Sequence, residues 1–197
     1  MIARSLFSCS LAMALTVGTS TAQVSRFQID AQYRGAVKKS FSSIGQAGLK
    51  WVPGADGTVR VNGEGRVNHP KERSKVYEFG LDMQFRVTGD SIQYLASRNT
   101  CNAGSEGLKS RIERILPFVY LVASVPVNGS RAPRLFRTPH GEYRMRYGET
   151  SNHVEVTVEE RNSQIGKFFL AKDAGTLYLE RFRIPAKDNV VISFVAQ

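Results

Sequence analysis

Between residues 77 and 87, apolar and polar side chains alternate without a break. Tyr77, Phe79, Leu81, Met83, Phe85 and Val87 fall on one side; Glu78, Gly80, Asp82, Gln84 and Arg86 fall on the other. A period of two over eleven residues is that of a β-strand with one buried and one wet face. Thr88-Gly89-Asp90-Ser91 is a turn, and the chain returns as Ile92 to Ala96, so a hairpin is predicted.

The same pattern recurs along the chain. Arg26 to Tyr33 carries Phe27, Ile29, Ala31 and Tyr33 on one face. Phe41 to Val52 is a predicted strand in which Gly45 and Gly48 mark bends or bulges. Thr58 to Val67 follows a Pro53-Gly54-Ala55-Asp56-Gly57 turn. Tyr143 to Tyr147 alternates Tyr or Met with Arg, and His153 to Glu159 alternates Val with polar residues. Phe168 to Ala171 and Thr176 to Ile184 flank another turn, and Val190 to Val195 closes the chain. Roughly ten strands joined by tight turns is a mainly β, antiparallel meander. A sheet of that size tends to curl or split. A barrel or half-barrel closed over one helix is therefore expected.

The helix is predicted near residues 105–116, where Leu108, Ile112, Ile115 and Leu116 keep helical spacing and charged residues fill the other side. Ser105 caps its start, or Ser110 and Glu113 form a capping box one turn later. Pro117 is the predicted joint, since proline inside a helix removes a hydrogen bond. Phe118 to Val125 then reads as a separate apolar unit, a buried strand or a second short helix. Prolines and charges on both flanks make the run too short for a membrane span.

The first residues change the picture of where the chain goes. Arg4 precedes an apolar run from Leu6 to Val17, and Ser20-Thr21-Ala22 supplies the small residues of a cleavage site. That is the pattern of a secretory signal peptide, residues 1–22, cut after Ala22. Residues 23–197 are expected to form one secreted or periplasmic domain, with no transmembrane segment after cleavage. Cys101 is then the sole cysteine, so no internal disulfide is expected. It reads as an inert small hydrophobe or, in its polar turn, as a reactive or intermolecular thiol. Asn128-Gly129-Ser130 matches a glycosylation acceptor, relevant only to a host with an endoplasmic reticulum; a bacterial source is favoured.

The chain holds 27 Lys and Arg against 17 Asp and Glu, a formal charge of +10, which becomes +9 without Arg4. Such a balance favours anionic surfaces without choosing among them. Arg131, Arg134, Arg137, Arg144 and Arg146, with His140, form a basic stretch whose forks suit phosphate, sulfate or carboxylate. Arg181 and Arg183 make a second pair on one strand face. The competing reading is a solvated face in which Glu142, Glu149, Glu155, Glu159 and Glu180 pair with these cations across strands. Nucleic acid is disfavoured, because the aromatics alternate inward instead of forming a stacking platform.

Catalytic chemistry has little support. The sequence contains no phosphate loop, dinucleotide fingerprint, nucleophile elbow or zinc spacing. His153 and Glu155 share a strand face, but a metal site needs three or four converging ligands. Glu159-Glu160 and Asp56 with Glu64 are carboxylate pairs of the sort that serve hydrolysis only across a cleft. No catalytic residue, metal or cofactor is assigned.

In outline the arrangement is similar to exported bacterial half-barrel lipid carriers and lipocalin-like barrels; that similarity is of architecture, and no family motif stands among these residues. The first reading is an exported, non-enzymatic binding protein holding an amphipathic or lipid-like ligand in its curled sheet. Phe79, Met83, Phe85, Tyr94, Phe118, Tyr120 and Met145 are the expected lining. The alternative is a basic envelope protein contacting polyanions or an anionic partner through the arginines. A hydrolase with an unrecognised site is third.

Overall fold

The computed structural model describes residues 23–33, 39–54, 56–69, 72, 74–123, 131–173, 176–186 and 189–197. The signal peptide, Asn128 and the last two residues of the Phe118–Val125 segment lie outside them.

The strands are β1 (Gln23–Tyr33), β2 (Lys39–Pro53), β3 (Thr58–Asn68), β4 (Val76–Thr88), β5 (Ser91–Ser97) and β6 (Thr100–Cys101). After helix α1 (Glu106–Ala123) come β7 (Arg134–Thr138), β8 (Gly141–Glu149), β9 (His153–Glu160), β10 (Ser163–Asp173), β11 (Thr176–Pro185) and β12 (Val190–Ala196). The sheet runs β3-β2-β1-β12-β11-β10-β9-β8-β7-β5-β4, and β3 pairs with β4, so the eleven strands close into a barrel. Strand β6 is extra, pairing with β4 at Phe79 and Gly80. Closure removes the edges that an open meander would expose.

Each pairing is antiparallel except β5 with β7, which meet at Ser91 and Arg137 in parallel. This seam is where α1 enters, since the helix lies on the connection between the two halves of the barrel. Beyond the end of β5, the outer edge of β4 is satisfied by asparagines. Asn99 Oδ1 accepts from the Asp82 amide at 2.7 Å, and Asn102 Oδ1 from the Glu78 amide at 2.9 Å.

Helix α1 fills the lumen. Phe118 packs edge-on to Phe136 of β7, with ring centroids 5.8 Å apart, and against Tyr143 of β8 at 5.4 Å. Tyr120 meets Trp51 of β2 at 6.2 Å and Phe85 of β4 at 6.1 Å. On the opposite wall Gly166 of β10 leaves room for Ile115: a Cβ there would lie 2.9 Å from Ile115 Cγ1 and nearer still to Cδ1. A helical segment enclosed by strands must be apolar all round, and in the second half of α1 Ile115, Leu116, Pro117, Phe118 and Val119 are buried in succession.

This corrects two expectations. The helix does not end at Leu116; it runs as one element through Pro117 to Ala123, so Phe118 is helical and not the start of a separate unit. A proline in a helix interior costs about 3 kcal/mol. Full burial of each of Ile115, Leu116, Phe118 and Val119 returns roughly 1.5–3 kcal/mol, so lumen packing overrides the break. The start is at Glu106, with the Ser105 carbonyl accepting from the Lys109 amide at 2.9 Å, not one turn later at Ser110. The twelve strands include two short ones, β6 and β7, that lack a readable alternation, and β10 begins at Ser163, upstream of Phe168.

Candidate functional site

A trough of about 840 Å³ lies on the barrel wall. Strand register builds it. Phe27, Ala47, Gly65, Phe79 and Cys101 face one another across β1, β2, β3, β4 and β6. Phe27, Ala47 and Phe79 are buried, so this row points inward. The flanking rows point outward: Arg26, Gly48, Glu64, Gly80 and Thr100 on one side, Gln28, Gln46, Arg66 and Glu78 on the other. Gly48 and Gly80 strip the first of these rows, and Gly65 strips the inward one. A Cβ at Gly48 would meet nothing within 4 Å, so the backbone there borders open space. At Gly65 a Cβ would lie 2.7 Å from Cε1 and Cε2 of Phe79; only glycine lets that ring lie across the strand.

The resulting floor is bare backbone over Phe27 and Phe79, and the rim is polar: Arg26, Gln46, Glu64, Arg66, Glu78, Thr100, Asn102 and Gln197. Arg66 and Glu78 approach to 3.7 Å across the rim and are both well exposed. Arg26 and Glu64 have no ion pair among the described residues. Cys101 lines the trough as a half-buried free thiol. The volume falls within the 300–1,000 Å³ typical of ligand sites.

A smaller cavity of about 210 Å³ opens at the barrel mouth beside the C-terminal turn of α1, lined by Trp51, Val119, Tyr120, Leu177, Tyr178 and Leu179 among others. Phe27 borders both spaces.

The seven expected lining residues do not form one site. Phe79 borders the trough and Tyr120 the mouth cavity. Met83, Phe85, Phe118 and Met145 are at most 1% exposed and belong to the packed core. Tyr94 is half-buried, edge-on to His140 at 5.0 Å. Its hydroxyl and that of Tyr143 are buried, and burial pushes both phenol pKa values up. The sequence signal that was available for the trough is its run of glycines at 45, 48, 63, 65 and 80, which reads as weak strand instead of a shaped surface.

The basic stretch is largely paired. Arg134 forms a fork with Asp90, with Nη2 2.6 Å and Nε 3.1 Å from Oδ1; Arg137 reaches Glu142 at 3.5 Å, and Arg146 binds Glu159. Arg144 is exposed opposite Leu135 and Glu159, and Arg131 is half-buried. The remaining acids pair with cations other than these arginines: Glu149 with Lys172, Glu155 with Lys167 and Glu180 with His153. His153 and Glu155, though on one face, thus serve different partners. Glu160 binds Arg114, and Asp56 binds Arg86. Hydrogen bonds from the Thr58 hydroxyl and from Arg86 hold the Asp56 carboxyl at about 2. No group of three metal-ligating side chains converges among the described residues, and no helix there is long and apolar enough to cross a membrane.

No protein-family model and no curated protein matches the chain. Among solved structures, a beta-barrel-like protein of the domain of unknown function DUF1849 from Brucella abortus is similar over 88% of this chain and 96% of its own, at 6% identity and a TM-score of 0.41.

Proposed function

We propose that the protein is exported by its N-terminal signal and acts as a non-enzymatic binding protein, holding an amphipathic ligand in the outer trough. The observation that carries this reading is the trough itself: a floor of glycine and backbone over Phe27 and Phe79, under a polar rim in which Arg26 and Glu64 have no ion pair among the described residues and Arg66 and Glu78 only a long one. Such a surface takes a molecule with one greasy and one hydrogen-bonding side. The lumen is the poorer candidate, because Met83, Phe85, Phe118 and Met145, expected to line it, are at most 1% exposed.

Gly48→Phe tests the site. The new ring would stand in open space over the floor, so it blocks the trough and leaves the core alone. Binding of monomeric dodecylphosphocholine, below its micellar concentration, is measured by calorimetry for both proteins. The expected result is at least tenfold weaker binding by the variant, equivalent to about 1.4 kcal/mol, with an unchanged melting temperature. No binding by the natural chain, or equal binding by the variant, overturns the reading. Export is checked separately: the mature protein recovered from the periplasm or medium should begin at Gln23.

A further inference from the structure

Phe169 is 7% exposed, yet it is not buried by the core. It points outward from β10, and what covers it is cationic. The guanidinium of Arg181 lies 4.5 Å from the ring centroid, that of Arg183 5.0 Å, and the ammonium of Lys167 5.3 Å. Register explains the gathering: Phe169 faces Arg181 and Lys167 faces Arg183 across β10 and β11. The ring attracts each cation through its negative face, but three like charges around one ring repel each other.

Counter-charge reaches this group unevenly. Lys167 is paired with Glu155 at 2.7 Å, and Asp30 lies one strand beyond Arg183, across Ser193. Arg181 has neither a hydrogen bond nor an ion pair among the described residues, and its Nε is buried without a partner. Its strand neighbour on the far side is Val195.

We infer that this face of β10 and β11 is an anion site centred on Arg181, with Arg183 and Lys167 as flanking donors, and that its occupant is the sulfate or phosphate ester of an acidic glycan. Three donors from two strands match a tetrahedral oxyanion, which offers oxygens in several directions; a single planar carboxylate is satisfied by one arginine fork. The patch does not suit a bilayer. Of the exposed large apolar side chains, Val52, Leu95 and Leu135 lie on other strands and Tyr178 alone stands near this face, opposite Ala171 in the row beyond Phe169 and Arg181, and one side chain does not make an inserting surface. It does not suit bases either, since the cations already cover the Phe169 ring. The site is independent of the trough, which lies on β1 to β4 and β6.

The test is binding of a fully sulfated heparin tetrasaccharide at low ionic strength to the intact mature protein. The natural chain should bind it and should not bind the desulfated tetrasaccharide. Arg181→Gln should lose at least tenfold in affinity, the scale of one charge-assisted hydrogen-bonded contact of about 1.5–3 kcal/mol. Arg137→Gln, an exposed arginine elsewhere on the barrel, should change affinity by less than twofold. Arg181→Lys keeps the charge and loses the fork; it should fall between the two, which separates a built site from general attraction even if Arg181→Gln folds poorly. Equal losses for Arg137→Gln and Arg181→Gln, undiminished binding by both Arg181 variants, or binding of the desulfated sugar would overturn the inference. So would tighter binding to phosphatidylglycerol vesicles than to the tetrasaccharide.

Discussion

Adding one methyl group at Gly166 tests whether α1 rests inside the barrel on β10. The alanine Cβ would sit 2.9 Å from Ile115 Cγ1 and still nearer Cδ1, closer than carbon atoms approach, and 3.6 Å from Phe168 Cε2. Ile115 and Phe168 are fully buried, so neither has free space to move into. Overpacking a filled core costs about 1–3 kcal/mol, and replacing glycine gives back roughly 0.4–1 kcal/mol through the unfolded chain. Gly166→Ala should therefore lose about 1–2 kcal/mol, or roughly 2–8 °C in melting temperature for a chain of this size. Ile115→Val removes Cδ1, the nearest atom, and alone should cost about 0.5–1.5 kcal/mol. The double variant is the decisive one. With the nearer of the two contacts removed it should be at least as stable as Gly166→Ala, a favourable coupling near 1 kcal/mol measured by urea denaturation. Losses that simply add, within about 0.5 kcal/mol, would refute the reasoning and remove α1 from that wall.

Phe118→Ala should destabilise by about 3–5 kcal/mol, because Phe118 fills the space between Phe136 and Tyr143; a loss under 1 kcal/mol in chemical denaturation would mean that the lumen is loosely filled. Trp51, the single tryptophan, is 4% exposed, so its emission should be blue-shifted and resist iodide quenching until the protein unfolds. Tyr94 and Tyr143 have raised pKa values in the fold, burial being the first cause of each. The unfolded chain then releases these protons first. The stability they contribute is complete below the unfolded value near 10 and is lost as pH rises toward the higher folded values. Ultraviolet titration should accordingly show these two phenols ionising only with or after unfolding, and early, reversible ionisation of both would contradict the burial.

The sheet was legible because its signal is local. In β4 the inward residues Phe79, Leu81, Met83 and Phe85 keep a strict period of two, and the short turn at Gly89 and Asp90 sets β4 against β5. The helix end was not legible. Pro117 breaks helices in water, but here the lumen supplies apolar contacts on every side, a tertiary effect invisible in a window of neighbours. The same packing explains why an inward aromatic need not border open space: Phe85 is fully buried and meets Tyr120 of α1. The trough was missed for the opposite reason. It is made by missing side chains at Gly48 and Gly80, which fall in one row only when β2, β3 and β4 pair. The anion face needed the same register, which puts Lys167, Arg181 and Arg183 around Phe169 although they come from two strands.

The central claim is that the lumen is closed by α1 and that ligand binds outside, in the trough. Amide and methyl NMR shifts during titration with monomeric dodecylphosphocholine test it directly. The account predicts saturable shifts at Gly48, Gly65, Gly80, Thr100 and Asn102, with the signals of Met83, Phe85, Phe118 and Met145 left in place. Shifts concentrated in those four core residues and along α1 would contradict it.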